Sequence, residues 1–544
     1  MENQKQSPSH SPVKECQSPK GAYVDQRLSE NISTLHTLLP LGRSFDLMTR
    51  DLLLGQTKAY WIGLNGFCVS ELLEKMFGAL QGTEGDQNNL PQLTSPNSQC
   101  TEGSSSNHKA TSSHALSPNT CTSILHDTNP DNCASPLHAY VESRVGIAQI
   151  SYATEFPSIL DKLTSGNSVL FVDGFAEAVI LDTRAYHSRS VEEPALEKMT
   201  RGARDGFIEI LLTNANLIRR RIRSPRLVFE MHTVGQAGKT DVCVAYLEDR
   251  CDPELVQKIS KKIDSLKVTA LTMGAKSLEE LLVKRRFFNP LPSLQMTERP
   301  DVAASYLAEG YVLVLVDNTP MVLVLPCTIF HFTQTAEDYY KNPLVGTYLR
   351  FIRFLCIPVA LLFLPLFLLI TAYYPQLAQR LQLVATEIPT RGHLFFYVLV
   401  VEFFLAMFQY SASLSSDRFS GALSIVGGLL IGDMAVSLHW STSEVLFYGG
   451  ITLLATISVS CVELSDALRL YRMFLILCIF FGGVPGFWIG LGLVFLSIVT
   501  TPTFGGYSYF WPLIPWNGKA LINLLLRTPT AKAQPSKVWN RPHA

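Results

Sequence analysis

The stretch with the clearest potential for chemistry is HTVGQAGKTDVCVAYL, His232–Leu247, because Gly-Lys-Thr after a glycine turn occurs in phosphate-binding loops. Such a loop has four residues between its two glycines and runs from a strand into a helix, so that its N–H groups surround the phosphates. Here only Gln236 and Ala237 separate Gly235 from Gly238, and strand formers follow. The pattern predicts a β-hairpin with a tight glycine turn, not a nucleotide site.

Two carboxylates, Glu402 and Asp433, stand well inside apolar segments of the second half of the chain. A carboxylate in hydrocarbon is costly and marks either a pathway or a buried partner. For Glu402, a pore or coupling charge and an assembly contact with a neighbouring helix are both open. For Asp433, a place at the membrane interface is favoured over a pore-facing one.

The longest apolar segment, Met473–Val499, has FGGVPG at its centre. Adjacent glycines and a proline predict a broken or kinked helix, or a hairpin that returns to its starting side. Such breaks are tolerated in a membrane only where protein or water covers the exposed backbone. The candidates for a flexible gate are therefore Gly482, Gly483, Pro485 and Gly486.

A cluster of arginines that includes Arg219, Arg220 and Arg221 ends a predicted helix before Pro225. It could meet nucleic acid, an acidic lipid surface or a neighbouring subunit, or form a solvated helix end. The formal net charge of −1 and the absence of binding motifs argue against nucleic acid. Docking onto a neighbouring subunit is favoured.

No arrangement of nucleophile and base, and no pair of carboxylates, indicates catalysis. The eleven cysteines form no CxxC pair and have no metal-ligand spacing. We therefore expect a protein that is not an enzyme and that carries neither a metal nor a cofactor.

The elements that must position these residues fall into a soluble part and an apolar part. We expect a disordered N-terminus over 1–20 and a first α/β subdomain over 21–183. Residues 82–136, rich in Ser, Thr, Asn and Gly, are a disordered insertion in that subdomain. A second α/β subdomain is expected over 184–347, with a strand between a helix that begins at Pro253 and a helix near 278–286. Each subdomain should contain a mixed sheet with helices packed on it.

An internal repeat links the two subdomains. SGNSVLFVDGFAEAVIL, which begins at Ser165, aligns without gaps with EGYVLVLVDNTPMVLVL, which begins at Glu309, so the offset is 309 − 165 = 144. Two unrelated hairpins with similar turn chemistry explain this pattern, and so do two related subdomains.

An α-helical transmembrane bundle is predicted over 348–517, followed by a basic tail over 518–544. Its first segment has 21 uncharged residues, enough to cross about 30 Å of hydrocarbon. The expected segments are 354–374, 394–410, 419–437, 445–462 and 473–499. Basic residues before the first segment and in the tail put both ends in the cytoplasm, which requires an even number of crossings. The fifth segment must then be re-entrant or double.

Several long motifs resemble those of the A subunit of GerA-type spore germination receptors. They occur in the family's order, between about Ser151 and Asn517: SVEEPALE, RGARDGFIEILLTNANLIRRRI, VGQAGKTDVCVAY, TERPDVAASYLAEGYVLVLVDNTP, EDYY and GGLLIGDMAV. Glu298 and Arg299 belong to the fourth motif and are, with the arginine cluster, candidates for assembly or coupling.

The resemblance implies a nutrient-binding B subunit and a C-subunit lipoprotein as partners, besides membrane lipids. It also implies a homo-oligomeric ring, with a pentamer expected, around a nutrient-gated ion path in the spore inner membrane. Conducting ions would suit the gate candidates and the intramembrane carboxylates. A secondary transporter component and a non-conducting scaffold are the alternatives.

Overall fold

The computed structural model describes the greater part of the chain: residues 23–68, 70–81, 135–147, 149–184, 194, 197, 201–283, 288–384, 389–414, 436–438, 440–506 and 508–526. The N-terminal 1–20, nearly all of the insertion, most of the 419–437 segment with Asp433, and the tail beyond 526 lie outside the described residues. The chain divides into two compact units, 1–188 with 222–227, and 189–221 with 228–544.

The first unit is built around one five-stranded sheet. In chain order its elements are α1 (Leu28–Leu38), β1 (Leu47–Leu54), β2 (Thr57–Leu64), α2 (Ser70–Gln81), α3 (Pro136–Arg144), β3 (Ile150–Ala153), α4 (Phe156–Thr164), β4 (Ser168–Val172) and β5 (Ala178–Leu181). The strands follow the order β1-β2-β4-β5-β3, and their pairs are antiparallel. Because side chains alternate along a strand, Trp61 and Leu170 face α2 and α3, whereas Ile62 and Phe171 face α1 and α4.

The second unit begins with a sheet of the same design. Its elements are α5 (Leu211–Arg221), β6 (Leu227–Val234), β7 (Thr240–Leu247), α6 (Pro253–Asp264), α7 (Ala275–Leu282), β8 (Gln295–Thr297), α8 (Pro300–Ala308), β9 (Val312–Val316) and β10 (Val322–Leu325). The strand order is β6-β7-β9-β10-β8. Helices α6 and α7 bury their apolar faces against this sheet in one core. The expected α/β architecture with two sheets is confirmed.

The two sheets repeat one another down to single hydrogen bonds. Asp173, in the turn after β4, accepts from the Leu28 N–H at the start of α1. Its counterpart Asp317 accepts from Leu211 N–H at the start of α5. An asparagine in each of these helices also bonds to the backbone of the residue six positions earlier. Asn31 in α1 accepts from the Asp25 N–H through Oδ1 and donates to the Asp25 carbonyl through Nδ2. Asn214 in α5 makes the same two bonds with Ile208. Shared turn chemistry does not require these shared helix contacts, so the structure favours two related subdomains.

The predicted glycine hairpin is present as β6 and β7, and three N–H groups of its turn already have carbonyl acceptors. The N–H of Gln236 donates to the carbonyl of Val268, and those of Ala237 and Gly238 donate to the carbonyl of Thr269, at 2.9–3.1 Å. The strand expected between α6 and α7 was wrong: residues 267–272 form no strand. Their carbonyls bond to this turn instead of to a sheet, which explains the difference.

The second unit continues into apolar helices. They are, with short connecting helices, α9 (Glu337–Tyr340), α10 (Pro343–Tyr373), α11 (Pro375–Arg380), α12 (Arg391–Leu414), α13 (Ser443–Ile457), α14 (Val462–Val499) and α15 (Gly518–Leu525). Within the described residues, α10, α12 and α14 are long and apolar enough to cross a membrane, and α13 is a shorter apolar helix. Helix α10 begins at the side-chain cap of Asn342, well before the first apolar segment, because its first turns pack on α9 rather than in an apolar layer.

Helix α14 is a helical hairpin. Gly483 has non-helical dihedrals, φ 60° and ψ −140°. The Tyr471 hydroxyl lies 2.7 Å from the Ser497 hydroxyl although 26 positions separate them, a distance of about 39 Å along a straight helix. Glu463 at its start and Thr501 just past its end both contact the α/β part of this unit. Both ends of the segment therefore lie against the same α/β part, which agrees with the hairpin, one of the alternatives that the glycines and proline left open.

Candidate functional site

A buried ion pair lies among the apolar helices. The Glu402 carboxylate on α12 accepts two hydrogen bonds from Arg472 on α14, at 2.6 Å from Nε and 3.0 Å from Nη2. Arg472 Nη1 also donates to the Ala360 carbonyl on α10 and to Thr456 Oγ1 on α13. Glu402 is 1% exposed and Arg472 is 2% exposed. One guanidinium thus joins α10, α12, α13 and α14.

The geometry satisfies both charges. A bidentate arginine–carboxylate pair gives directional hydrogen bonds and leaves no net charge in the apolar layer. Apolar contacts between helices in lipid specify position only weakly, because lipid tails are as apolar as the side chains. A second polar contact one turn away, from Arg469 to Gln409, joins the same two helices. The pair therefore sets the register of α12 against α14.

The sharp turn at the apex of the α14 hairpin explains why two of the predicted gate residues, Gly483 and Gly486, are glycines. Gly483 has a positive φ, and a Cβ there would lie 3.0 Å from the ring of Tyr373 on α10. A Cβ on Gly486 would collide with the Cys478 carbonyl oxygen of the opposite arm. Gly482, in contrast, has no heavy atom within 4 Å of its Cβ position.

Pro485 begins the second arm of the hairpin. The first turn of a helix tolerates proline because its N–H has no intrahelical acceptor there. The sharp turn thus requires glycine at 483 and 486 and accommodates proline at 485, whereas it does not require Gly482.

A polar junction joins α14 to the α/β part of the second unit. Lys276 on α7 bonds to the fully buried Glu279 at 2.8 Å and also to Glu463 in the first turn of α14. Burial lowers the pKa of Lys276, but the hydrogen bonds to both carboxylates outweigh burial and raise it above its usual range. Asn289 donates to Thr501 at 2.8 Å, beyond the other arm. Both ends of the hairpin are therefore attached to the same α/β subdomain.

The start of α10 has its own attachment, in the EDYY motif. Asp338 is fully buried and bonds to Arg350 at 3.2 Å and to Arg353. Arg350 also donates to the Leu524 carbonyl, and Arg353 donates to the Thr333 carbonyl. The two arginines that precede the first apolar segment are consequently part of a folded polar cluster.

Glu298 and Arg299 lie at the start of α8. Arg299 is 1% exposed and bonds to both oxygens of Asp301 and to the carbonyls of Glu197 and Ala203. Burial raises the pKa of Asp301, but the hydrogen bonds from Arg299 and Tyr340 outweigh it and lower that pKa below its usual range. The Glu298 N–H donates to the Glu197 carboxylate. These residues attach Glu197 and Ala203 to the second subdomain.

The arginine cluster does not form one surface. Arg219 is 2% exposed, with its guanidinium 5.2 Å from the Phe229 ring centroid. Arg221 forms a pair of 2.6 Å hydrogen bonds with Asp205, whereas Arg220 is exposed. Only one of the three is placed to meet a partner directly.

Sequence reasoning missed Arg472, Lys276, Glu463 and Asn289. A charged residue inside an apolar segment was the one available signal, and it pointed to Glu402 rather than to its partner. Among the described residues, no group of three or more His, Cys, Asp or Glu side chains could hold a metal ion.

A two-part α/β region followed by apolar helices with a buried ion pair and a returning hairpin defines a membrane protein. The model of the family described as Bacillus/Clostridium GerA spore germination protein matches residues 36–538. The chain belongs to this family.

Three relatives show how the similarity is distributed. Stage V sporulation protein AF of Bacillus subtilis (strain 168) is 36% identical over 400 residues, 73% of this chain and 81% of that protein. Spore germination protein GerLA of Bacillus cereus is 28% identical, over 68% of this chain and 75% of that protein. Spore germination protein KA of Bacillus subtilis (strain 168) is 27% identical, over 72% of each.

Among solved structures, the N-terminal domain of the A subunit of the Bacillus megaterium spore germinant receptor GerK3 is similar. It has 23% sequence identity and a TM-score of 0.36, and the match covers 56% of this chain and 96% of that one.

Proposed function

We propose that this chain is the A subunit of a nutrient-responsive germination receptor, and that its copies form a ring, expected to be a pentamer, around an ion path in the spore inner membrane. A nutrient-binding B subunit and a C-subunit lipoprotein complete the receptor. The observation that carries the proposal is the α14 hairpin, because it has a glycine apex and both of its ends are attached to the α/β region.

The hairpin suits a gate that the α/β region moves. One apolar hairpin from each copy would form a hydrophobic constriction at the ring axis, and such constrictions close by dewetting. Gly483 and Gly486 permit the sharp apex, and the contacts of Lys276 and Asn289 transmit displacement to the two arms. Nutrient binding must favour the open assembly by a few kcal/mol.

We assign Glu402 a positioning role rather than a place in the pore. Glu402 is 1% exposed and both of its carboxylate oxygens accept hydrogen bonds from Arg472. The pair is therefore suited to hold α12 and α14 at a fixed position relative to each other. Asp433, outside the described residues, and Gly483, Pro485 and Gly486 remain the candidates for pore and gate, whereas Gly482 is dropped from the gate because a Cβ there would meet nothing within 4 Å. Arg220 and the Glu298–Arg299 segment remain candidates for assembly.

Conductance in planar bilayers tests the proposal, with the purified chain alone and with its B and C subunits and nutrient. Gly483→Leu should abolish nutrient-evoked conductance, because a side chain at positive φ meets the Tyr373 ring. Gly482→Leu is the matched control and should conduct, since nothing lies near its Cβ. A folded oligomer that stays silent with partners and nutrient would contradict ion conduction and favour the transporter or scaffold alternatives.

The junction between α7 and α14 gives a second prediction. Lys276→Met removes the ion pairs with Glu279 and Glu463 and should raise the nutrient concentration for half-maximal conductance about five- to tenfold, or about 1–1.4 kcal/mol. Lys258→Met is the control, because among the described residues the ion pair of Lys258 is with Glu254, on the exposed face of α6. Equal responses of both variants would show that this junction transmits nothing.

A further inference from the structure

A polar cavity of about 290 Å³ opens in the first unit, between the end of α4 and the edge formed by β3 and β5. Three of its lining side chains are cationic, Lys162, Arg184 and Arg223, and one is acidic, Asp182. The gating elements described above lie elsewhere, in the second unit. The gating proposal assigns no role to the residues that line the cavity.

The one carboxylate in this cavity is already neutralised. Arg184 Nε donates to Asp182 Oδ1 at 2.7 Å, and Arg184 Nη2 donates to Oδ2. The hydrogen bonds from Arg184 lower the pKa of Asp182, so it stays ionised and paired at neutral pH. Lys162 adds a weaker electrostatic contribution that also lowers the pKa of Asp182, but within the described residues neither Lys162 nor Arg223 is bonded to a carboxylate of the cavity wall.

Those two cations, Lys162 and Arg223, line the cavity and are themselves exposed to solvent. Lys162 at the end of α4 and Arg223 are exposed, and in the described part of the chain neither forms an ion pair with a carboxylate. Arg223 Nη1 reaches the Ser165 hydroxyl at 3.4 Å. The buried Asn167 holds the end of α4 in place by donating to the Lys162 carbonyl at 2.9 Å. Lys162 thus stands at the fixed end of α4, and Arg223, on the segment between α5 and β6, reaches the same helix end through Ser165.

The corresponding position in the second subdomain has different side chains from those that line this cavity. At the offset of 144, Lys162 corresponds to Tyr306 and Asn167 to Tyr311. In the second unit both rings pack on His331, at centroid distances of 6.0 and 5.3 Å, and the Tyr311 hydroxyl lies 2.6 Å from His331 Nε2. In the second unit, aromatic side chains therefore occupy the position that corresponds to the end of α4. The first unit has cations around a cavity at the same place of the fold.

We propose that this cavity binds a compact oxyanion, a phosphate or carboxylate group, between Lys162 and Arg223. Two cations that line one cavity can give charge-assisted hydrogen bonds to such groups. The volume fits a small ligand or a lipid headgroup, and the exposure of both cations makes the affinity modest and dependent on salt.

Calorimetric titration of the full-length chain in phosphatidylcholine nanodiscs, with inorganic phosphate and with citrate, tests the site. Saturable binding is expected for the unmodified chain. It should weaken at least tenfold in Lys162→Gln/Arg223→Gln and persist in Lys162→Arg/Arg223→Lys. Lys75→Gln, an exposed lysine on α2, is the matched control. Both changed side chains are exposed, so unchanged thermal midpoints should accompany the loss.

Discs that contain phosphatidylglycerol identify the source of the anion. Weaker phosphate binding in those discs would show that a lipid headgroup occupies the cavity, and equal binding would show a soluble ligand. Either result supports the oxyanion site. Absence of saturable binding by the unmodified chain, or equal binding by Lys162→Gln/Arg223→Gln, would overturn it.

Discussion

Arg472→Met should destabilise the folded protein by about 3–5 kcal/mol, because Glu402 would remain buried without its counter-charge. The change also removes the donors to the Ala360 carbonyl and to Thr456, so all four helices lose one shared contact. The measurement is the free energy of unfolding in detergent by denaturant titration, with helix content followed by circular dichroism.

Two further variants separate charge burial from general damage. Arg469→Met, one turn away, loses only partly buried contacts and should cost about 1 kcal/mol. Combining Glu402→Leu with Arg472→Met should recover most of the stability, since an apolar pair of similar volume replaces a buried ion pair at little cost. If Arg472→Met were no more harmful than Arg469→Met, the pair would not hold the helices together.

Gly486→Ala should destabilise the protein by about 1–3 kcal/mol, although alanine is the better helix former. The added Cβ collides with the backbone carbonyl of Cys478, and a carbonyl in a helix cannot rotate away as a side chain can. Relief requires the two arms of the hairpin to separate. The same unfolding measurement applies, together with the conductance assay.

Whereas Gly486→Ala decreases the free energy of unfolding, Gly482→Ala, the matched comparison, should increase it. Its Cβ meets no heavy atom within 4 Å, so helix propensity alone acts, and a gain of up to about 1 kcal/mol is expected. Equal losses at 482 and 486 would mean that helix packing in general, rather than the close approach to Cys478, explains the glycines.

Local patterns determined much of this protein from its sequence. The glycine hairpin at residues 235–238, the break at FGGVPG and the repeat at an offset of 144 all depend on turn chemistry and periodicity over a few residues. The helix expected at Pro253 begins there. The strand expected before α7 failed because apolar, β-branched composition cannot tell a strand from an extended segment that bonds to a neighbouring turn.

Only the tertiary structure decided which charges meet. Glu402 was visible in the sequence as a costly carboxylate, but Arg472 is 70 positions away and Lys276 is 187 positions from Glu463. Such pairs depend on how the helices fold back and pack. Periodicity specifies which face of a segment is apolar, whereas the partner of a buried charge follows from the path of the whole chain, because desolvated charges must find counter-charges wherever the packing brings them together.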